Sequence, residues 1–96
     1  MGLIETTTFR LAAGANEQAF LRADRRVQTE LIPNQPGFLR RTTARSDEGW
    51  LVLTLWASAE HAHAFGEATV GDPVQLEFES HLEPGSEVTR RYETLD

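Results

Sequence analysis

The sequence predicts an α+β fold of the ferredoxin-like, split-βαβ kind, β-α-β-β-α-β, in a single domain over residues 1–96 that assembles as a dimer. Three observations carry this. Strand-like and helix-like periodicities follow one another along the chain in that order. One strand is apolar on both of its faces. A chain of 96 residues has too little mass to cover both faces of a four-stranded sheet with its own helices.

The first strand is expected over residues 3–11, rich in Thr and carrying Ile4 and Phe9. Ala12-Ala13-Gly14-Ala15 interrupts it. Asn16 suits a helix N-cap, because its side-chain oxygen accepts a backbone N–H that the first turn leaves free, and Glu17 suits the positive end of the helix. Over residues 17–32, Phe20, Ala23, Val27 and Leu31 recur at spacings of three, four and four and make one apolar stripe. Arg22, Arg25, Arg26 and Glu30 lie opposite. Pro33 ends the helix, since it has no N–H to donate to the ladder. Gln35-Pro36-Gly37-Phe38 fits a type II turn, with Pro second and Gly third.

Residues 38–45 read as the second strand and 50–56 as the third, joined by the turn Ser46-Asp47-Glu48-Gly49 into a hairpin. Ser58 caps a second helix over 59–68, whose inner positions are Ala62, Phe65 and Thr69. Residues 70–85 read as irregular, with a helical turn near 74–78, and 86–95 as the last strand.

The third strand decides the assembly. Trp50, Val52 and Trp56 point to one face and Leu51, Leu53 and Leu55 to the other, because side chains alternate along a strand. Two helices cover one face only. A strand apolar on both faces is a strand buried on both, so a homodimer is expected, with a second copy covering the three leucines by two-fold symmetry. The plainer alternative is a monomer with a greasy outer face.

Composition narrows the function classes. There is no cysteine, which excludes thiol catalysis, iron–sulfur clusters and Cys-ligated zinc. The net charge of −6 opposes binding to phosphate backbones, so no nucleic-acid partner is expected, although all nine basic residues are arginines with some local clustering. No apolar run approaches the length that crosses a bilayer, and the first residues lack a secretory pattern, so no membrane partner and a cytoplasmic location are expected.

Residues 16–20, the turn Gln35-Pro36-Gly37-Phe38-Leu39 and the run Leu53-Thr54-Leu55-Trp56-Ala57-Ser58 together resemble the antibiotic biosynthesis monooxygenase family, and the resemblance extends over about residues 3–92. Its most specific points are the Pro-Gly-Phe turn after the first helix and the Trp-x-Ser closing the third strand. The resemblance implies a dimeric α+β barrel with a pocket between sheet and helices in each subunit. It implies chemistry too: members of the family turn anthrones or hydroquinones into quinones without metal or flavin, and others degrade haem. Trp56 stands where the family's pocket tryptophan would be. Haem-degrading relatives carry an Asn in strand one, where this chain has Thr6, Thr7 and Thr8, so haem cleavage is disfavoured.

The activity this implies is a cofactor-independent oxygenation of an aromatic, polyketide-like phenol or anthrone. No cofactor is expected, since the chain has no dinucleotide-binding glycine loop, haem-attachment motif or metal-ligand spacing. His61 and His63 are the candidate general bases, because histidine titrates near neutrality. Two apart on a helix, they point in nearly opposite directions and cannot share a metal. Trp56 is expected to wall the pocket or donate its indole N–H to a substrate oxygen, with Phe65 and His81 beside it. Thr8, Thr54 and Tyr92, together with Thr6, are candidate hydroxyl donors, and Arg40 and Arg90 candidate partners for an anion. Each has an ordinary structural use as well, the tryptophan as core, the threonines as strand formers and the histidines as surface groups. Two other functions fit the same sequence: an isomerase or cyclase on this barrel, and a small-molecule-binding protein without catalysis.

Overall fold

A computed structural model describes residues 2–95. Strands β1 (Leu3–Phe9), β2 (Phe38–Ser46), β3 (Gly49–Trp56) and β4 (Val88–Glu93) form one antiparallel sheet in the order β2-β3-β1-β4. That is the ferredoxin-like order expected from the sequence. Helices α1 (Glu17–Arg26), α2 (Ala59–Ala68) and α3 (Pro73–Glu79) connect the strands.

The helix starts are set by caps. Asn16 Oδ1 accepts from the Ala19 N–H at 3.0 Å, and Ser58 Oγ accepts from the His61 N–H at 3.3 Å. Asp72 Oδ1 accepts from Val74 and Gln75 at 2.8 and 3.3 Å, with Pro73 in the first turn, where its missing N–H costs nothing. The helical turn expected near 74–78 is therefore a capped helix, α3. The single helix expected over 17–32 changes pitch at Val27: a π-helical turn, Val27–Leu31, and a 3-10 turn, Ile32–Asn34, follow α1. Leu31 and Ile32 are both buried as a result, which a regular α-helix would not arrange for adjacent residues.

The first strand stops two residues short of the expected end. Beyond it the chain pairs locally with the segment before β4, through the Ala12 N–H to the His81 carbonyl and the Glu83 N–H to the Arg10 carbonyl, both 2.8 Å.

All helices pack on one face of the sheet. Phe9, Phe20, Val27, Leu31, Phe78 and Leu82 form one core cluster, and Leu3, Ile32, Trp56 and Ala62 form another. Phe20 meets Trp50 edge-on at 4.9 Å and Phe9 at 5.7 Å between ring centroids. Each such side chain contributes about 1.5–3 kcal/mol through burial. Among the described residues the opposite face carries no helix. There Leu51, Leu53 and Leu55 lie half-buried along the middle of the sheet, beside Ile4 and Thr6.

One irregularity redirects a strand. The β2–β3 register pairs Phe38 with Trp56 but then Arg40 with Leu55 and Arg41 with Thr54, so Leu39 is bulged out. Directly opposed residues share a face. The bulge inverts the alternation, turning Arg41 toward the helices and Arg40 away from them.

Candidate active site

Between the sheet and the helices lies a cavity of about 110 Å³. Phe9, Val27, Ile32, Val52, Phe65 and Phe78 supply its apolar walls. Glu5, Thr7, Arg41, Thr54, Gln75 and Glu87 supply its polar surface. The strand registers place four of the inward side chains in one row across the sheet: Arg41 on β2, Thr54 on β3, Glu5 on β1 and Arg91 on β4.

Arg41 is held firmly. Only 4% of its side chain is exposed, and Nη2 lies 2.8 Å from Asp24 Oδ1. Nη1 donates to Gln28 Oε1 at 3.1 Å. Its guanidinium carbon stands 5.7 Å from the centroid of Phe78, a cation–π contact. Thr43 Oγ1 donates to the same Asp24 oxygen at 2.9 Å. A buried guanidinium is tolerated because its charge is paired with Asp24 and its Nη1 donates to Gln28. At the other end of the row, Arg91 Nε donates to Glu5 Oε2 at 2.8 Å.

Beside this cavity stands Trp56, fully buried and packed on Phe65 at 5.1 Å and Phe38 at 6.0 Å. Its Nε1 is buried and has no hydrogen-bond partner among the described residues. A buried donor left without an acceptor costs about 1–3 kcal/mol.

A larger hollow of about 490 Å³ lies at the hairpin end of the sheet, lined by residues such as Arg10, Arg45, Glu48, Trp50 and Val88. It is open to solvent and walled largely by exposed turn and strand-end side chains. The smaller cavity, closed in by the helices and carrying buried polar groups, has the character of a binding site.

The fold recurs in solved structures. The chain superposes on SnoaB from Streptomyces nogalater, a cofactor-independent oxygenase, with a TM-score of 0.80 over 99% of this chain and 94% of that one. The fold is that of the antibiotic biosynthesis monooxygenases. A candidate antibiotic biosynthesis monooxygenase from Bordetella bronchiseptica gives a TM-score of 0.78 over 99% of both chains. Rv0793 from Mycobacterium tuberculosis gives 0.70 over 100% of this chain and 97% of that one. Identities are 12, 12 and 13% in that order, so the likeness is one of architecture. No protein-family model and no curated protein matches the sequence.

Within this monooxygenase fold the residues singled out from sequence fall into three groups. Thr54 and Phe65 line the cavity, and Trp56 backs it. Thr8 and Tyr92 pair with Leu51 and Ile4, which puts them on the opposite, helix-free face of the sheet, with Arg40 and Arg90. The histidines do not reach the cavity lining. His63 is exposed and pairs with Glu67 one turn on, at 2.7 Å. His61 Nδ1 is bonded to Ser58 Oγ at 2.8 Å and its ring lies against Gly37. His81 packs edge-on to Phe20 at 6.3 Å. The cause is helix phase: Ala62 and Phe65 occupy the inward stripe of α2, which turns positions 61 and 63 to its flanks.

The cavity also contains residues that sequence reasoning passed over. Glu5 lies on the inward face with Leu3 and Thr7, legible from alternation alone. Arg41 was concealed by the bulge at Leu39, and Gln75 by reading α3 as a mere turn. Among the described residues no three of His, Cys, Asp or Glu converge as metal ligands. No helix among them is long and apolar enough to cross a membrane.

Proposed function

We propose that this chain is a cofactor-independent oxygenase that converts a small electron-rich phenol into a quinone. The observation that carries the reading is the cavity itself: aromatic walls and a charged polar row on its floor, with the Trp56 indole packed against its wall residue Phe65, all in the fold that SnoaB shares.

The chemistry rests on the substrate. A phenolate gives an electron to O2 unaided once it is desolvated and oriented. One oxygen atom of O2 enters the ring carbon opposite the hydroxyl, and the other leaves as water with the displaced hydrogen and the hydroxyl proton. The protein removes that proton, fixes the ring and excludes bulk water. Neither role needs a histidine, since the cavity offers carboxylate and guanidinium groups. The volume sets the scale of the substrate. A dry cavity of about 150 Å³ takes benzene, so about 110 Å³, open at one side, suits a single ring. A tricyclic anthrone requires α2 and α3 to move outward.

The homodimer belongs to this reading. Leu51, Leu53 and Leu55 form an apolar stripe with Ile4, flanked by Arg40, Arg90 and Tyr92 at the sheet edges. A second copy on this face buries the stripe by two-fold symmetry and places Thr8 and Tyr92 in the interface. We take the working location to be the cytoplasm.

The test is oxygen uptake by the purified protein in EDTA, without flavin, across phenols and naphthols that have a free para carbon. Protein-dependent uptake with a quinone product supports the reading, and a folded dimer that consumes no oxygen across the panel overturns it. One observation favours a second reading. Opposite charges at two points of the cavity floor also suit proton shuttling in an isomerase, which turns over without O2.

A further inference from the structure

Arg41 and Glu5 are opposite charges on one row of the sheet, separated by Thr54. Two interstrand steps put their backbones about 10 Å apart. Long side chains in that relation commonly close on each other. Here each is tied outward instead, Arg41 to Asp24 at 2.8 Å and Glu5 to Arg91 at 2.8 Å. What lies over Thr54, between the two, is the cavity. Glu5 Oε2 is engaged by Arg91, and Oε1 makes no hydrogen bond among the described residues. The row is thus an acceptor at one end, a donor at the other and open space between, with Phe65 and Phe78 as walls.

We propose that this row is a two-ended recognition site for a single-ring phenol with a free para carbon, one end for its hydroxyl and the other for the oxygen that O2 delivers to that carbon. The hydroxyl donates to the Glu5 carboxylate, and the oxygen added at the para carbon accepts from the Arg41 guanidinium. The inference rests on reading the cavity as the substrate site and names the substrate's shape. It also assigns the proton acceptor. When the O–H bond breaks, its proton moves to Glu5 and the electron pair stays on the ring oxygen. Conjugation carries that charge to the para carbon, where the oxygen arriving from O2 develops charge beside Arg41. The outward ion pairs keep both groups from collapsing together when the cavity is empty, so the site is preorganised.

Binding tests the site without turnover. The probes do not react: 4-nitrophenol, whose nitro oxygens stand in for the oxygen added at the para carbon, and 4-nitroanisole, which lacks the acidic proton; quenching of tryptophan fluorescence reads their affinities. In the wild-type protein 4-nitrophenol binds about tenfold tighter, the scale of one hydrogen bond to a charged group. In Glu5→Gln the preference disappears while the affinity for 4-nitroanisole holds. In Arg41→Lys both probes weaken together, because the far end is common to both. Equal wild-type affinities, no saturable binding of 4-nitrophenol, or a preference that survives Glu5→Gln each overturn the proposal. Failure of the oxygenase reading looks different. There the binding pattern appears and no oxygen is consumed. Oxygen consumption with binding indifferent to Glu5 refutes the site and spares the reaction.

Discussion

The imidazole of His61 occupies the space beside Gly37: a β-carbon at Gly37 would stand 2.5 Å from Nδ1 and 2.6 Å from Cβ of that histidine. Gly37 has φ +79°, in the left-handed region that only glycine enters freely. The Gly37 carbonyl accepts from the Ala57 N–H at 2.8 Å. The same imidazole is bonded to Ser58, the cap of α2. The turn into β2 and the start of α2 are therefore one clasp, and the histidine that sequence reasoning offered as a base is part of it.

Gly37→Ala is expected to destabilise the protein by about 2–5 kcal/mol. The left-handed backbone contributes about 1–2 kcal/mol and the overpacking about 1–3 kcal/mol. Adding His61→Ala removes the ring part of the overpacking and leaves the contact with the β-carbon of residue 61 and the backbone part, so the two changes are non-additive in urea unfolding. His61→Ala alone costs about 1 kcal/mol, the scale of one lost hydrogen bond, and leaves turnover intact. Turnover abolished in a folded His61→Ala protein restores the histidine as a base.

Arg40 and Arg41 are neighbours with opposite fates, and substitution separates them. Arg40 is exposed on the helix-free face, and Arg40→Ala in the monomer costs no more than about 0.5 kcal/mol. Asp24→Ala strands the Arg41 charge in the core, with an expected cost of about 3–5 kcal/mol. Unfolding curves at dilutions that suppress association give both values. Equal costs at the two sites place the bulge elsewhere.

Much of this was legible in the sequence, and the exceptions have physical causes. Period-two alternation in β3 and the apolar stripe of α1 fixed the sheet and its main helix, because burial imposes those spacings. The caps Asn16 and Ser58 act where composition places them. Arg41 was missed because a single inserted residue inverts every later side chain on a strand, and no local signal marks Leu39 as that residue. The pitch change at Val27 hides in the same way: the stripe continues through it, but Ile32 joins the core. The orientation of the histidines was not legible because helix phase at 61 and 63 depends on which neighbour of Ala62 turns inward. The site's polar groups sit on strands, where Thr and Glu read as ordinary surface until the partner strands are known.

The helix-free face predicts an assembly that one substitution disrupts. Leu53 sits at its centre, between Thr42 and Thr6 on the neighbouring strands and half-buried. Light scattering is expected to give the mass of a dimer for the wild-type protein. Leu53→Arg sets like charges against each other across a two-fold axis, beside Arg90 of the same face. It is expected to yield folded monomers with an unchanged circular dichroism spectrum. A monomeric wild-type protein leaves the stripe as surface and ends the dimer reading.

Trp56→Phe separates a binding role from a packing role, because its two effects on stability oppose one another. Removing the indole removes a buried N–H that has no acceptor among the described residues, a gain of about 1–3 kcal/mol. The smaller ring leaves space between Phe38 and Phe65, a loss of about 1–2 kcal/mol on the scale of cavity-forming substitutions. The midpoint of thermal unfolding is therefore expected to shift by only a few degrees. If the N–H meets a substrate oxygen, that bond is lost while the fold persists. The value of kcat/KM for oxygen uptake then falls about tenfold or more. A change of twofold or less, at unchanged stability, makes Trp56 a core residue and moves the search for substrate contacts to the Arg41–Thr54–Glu5 row.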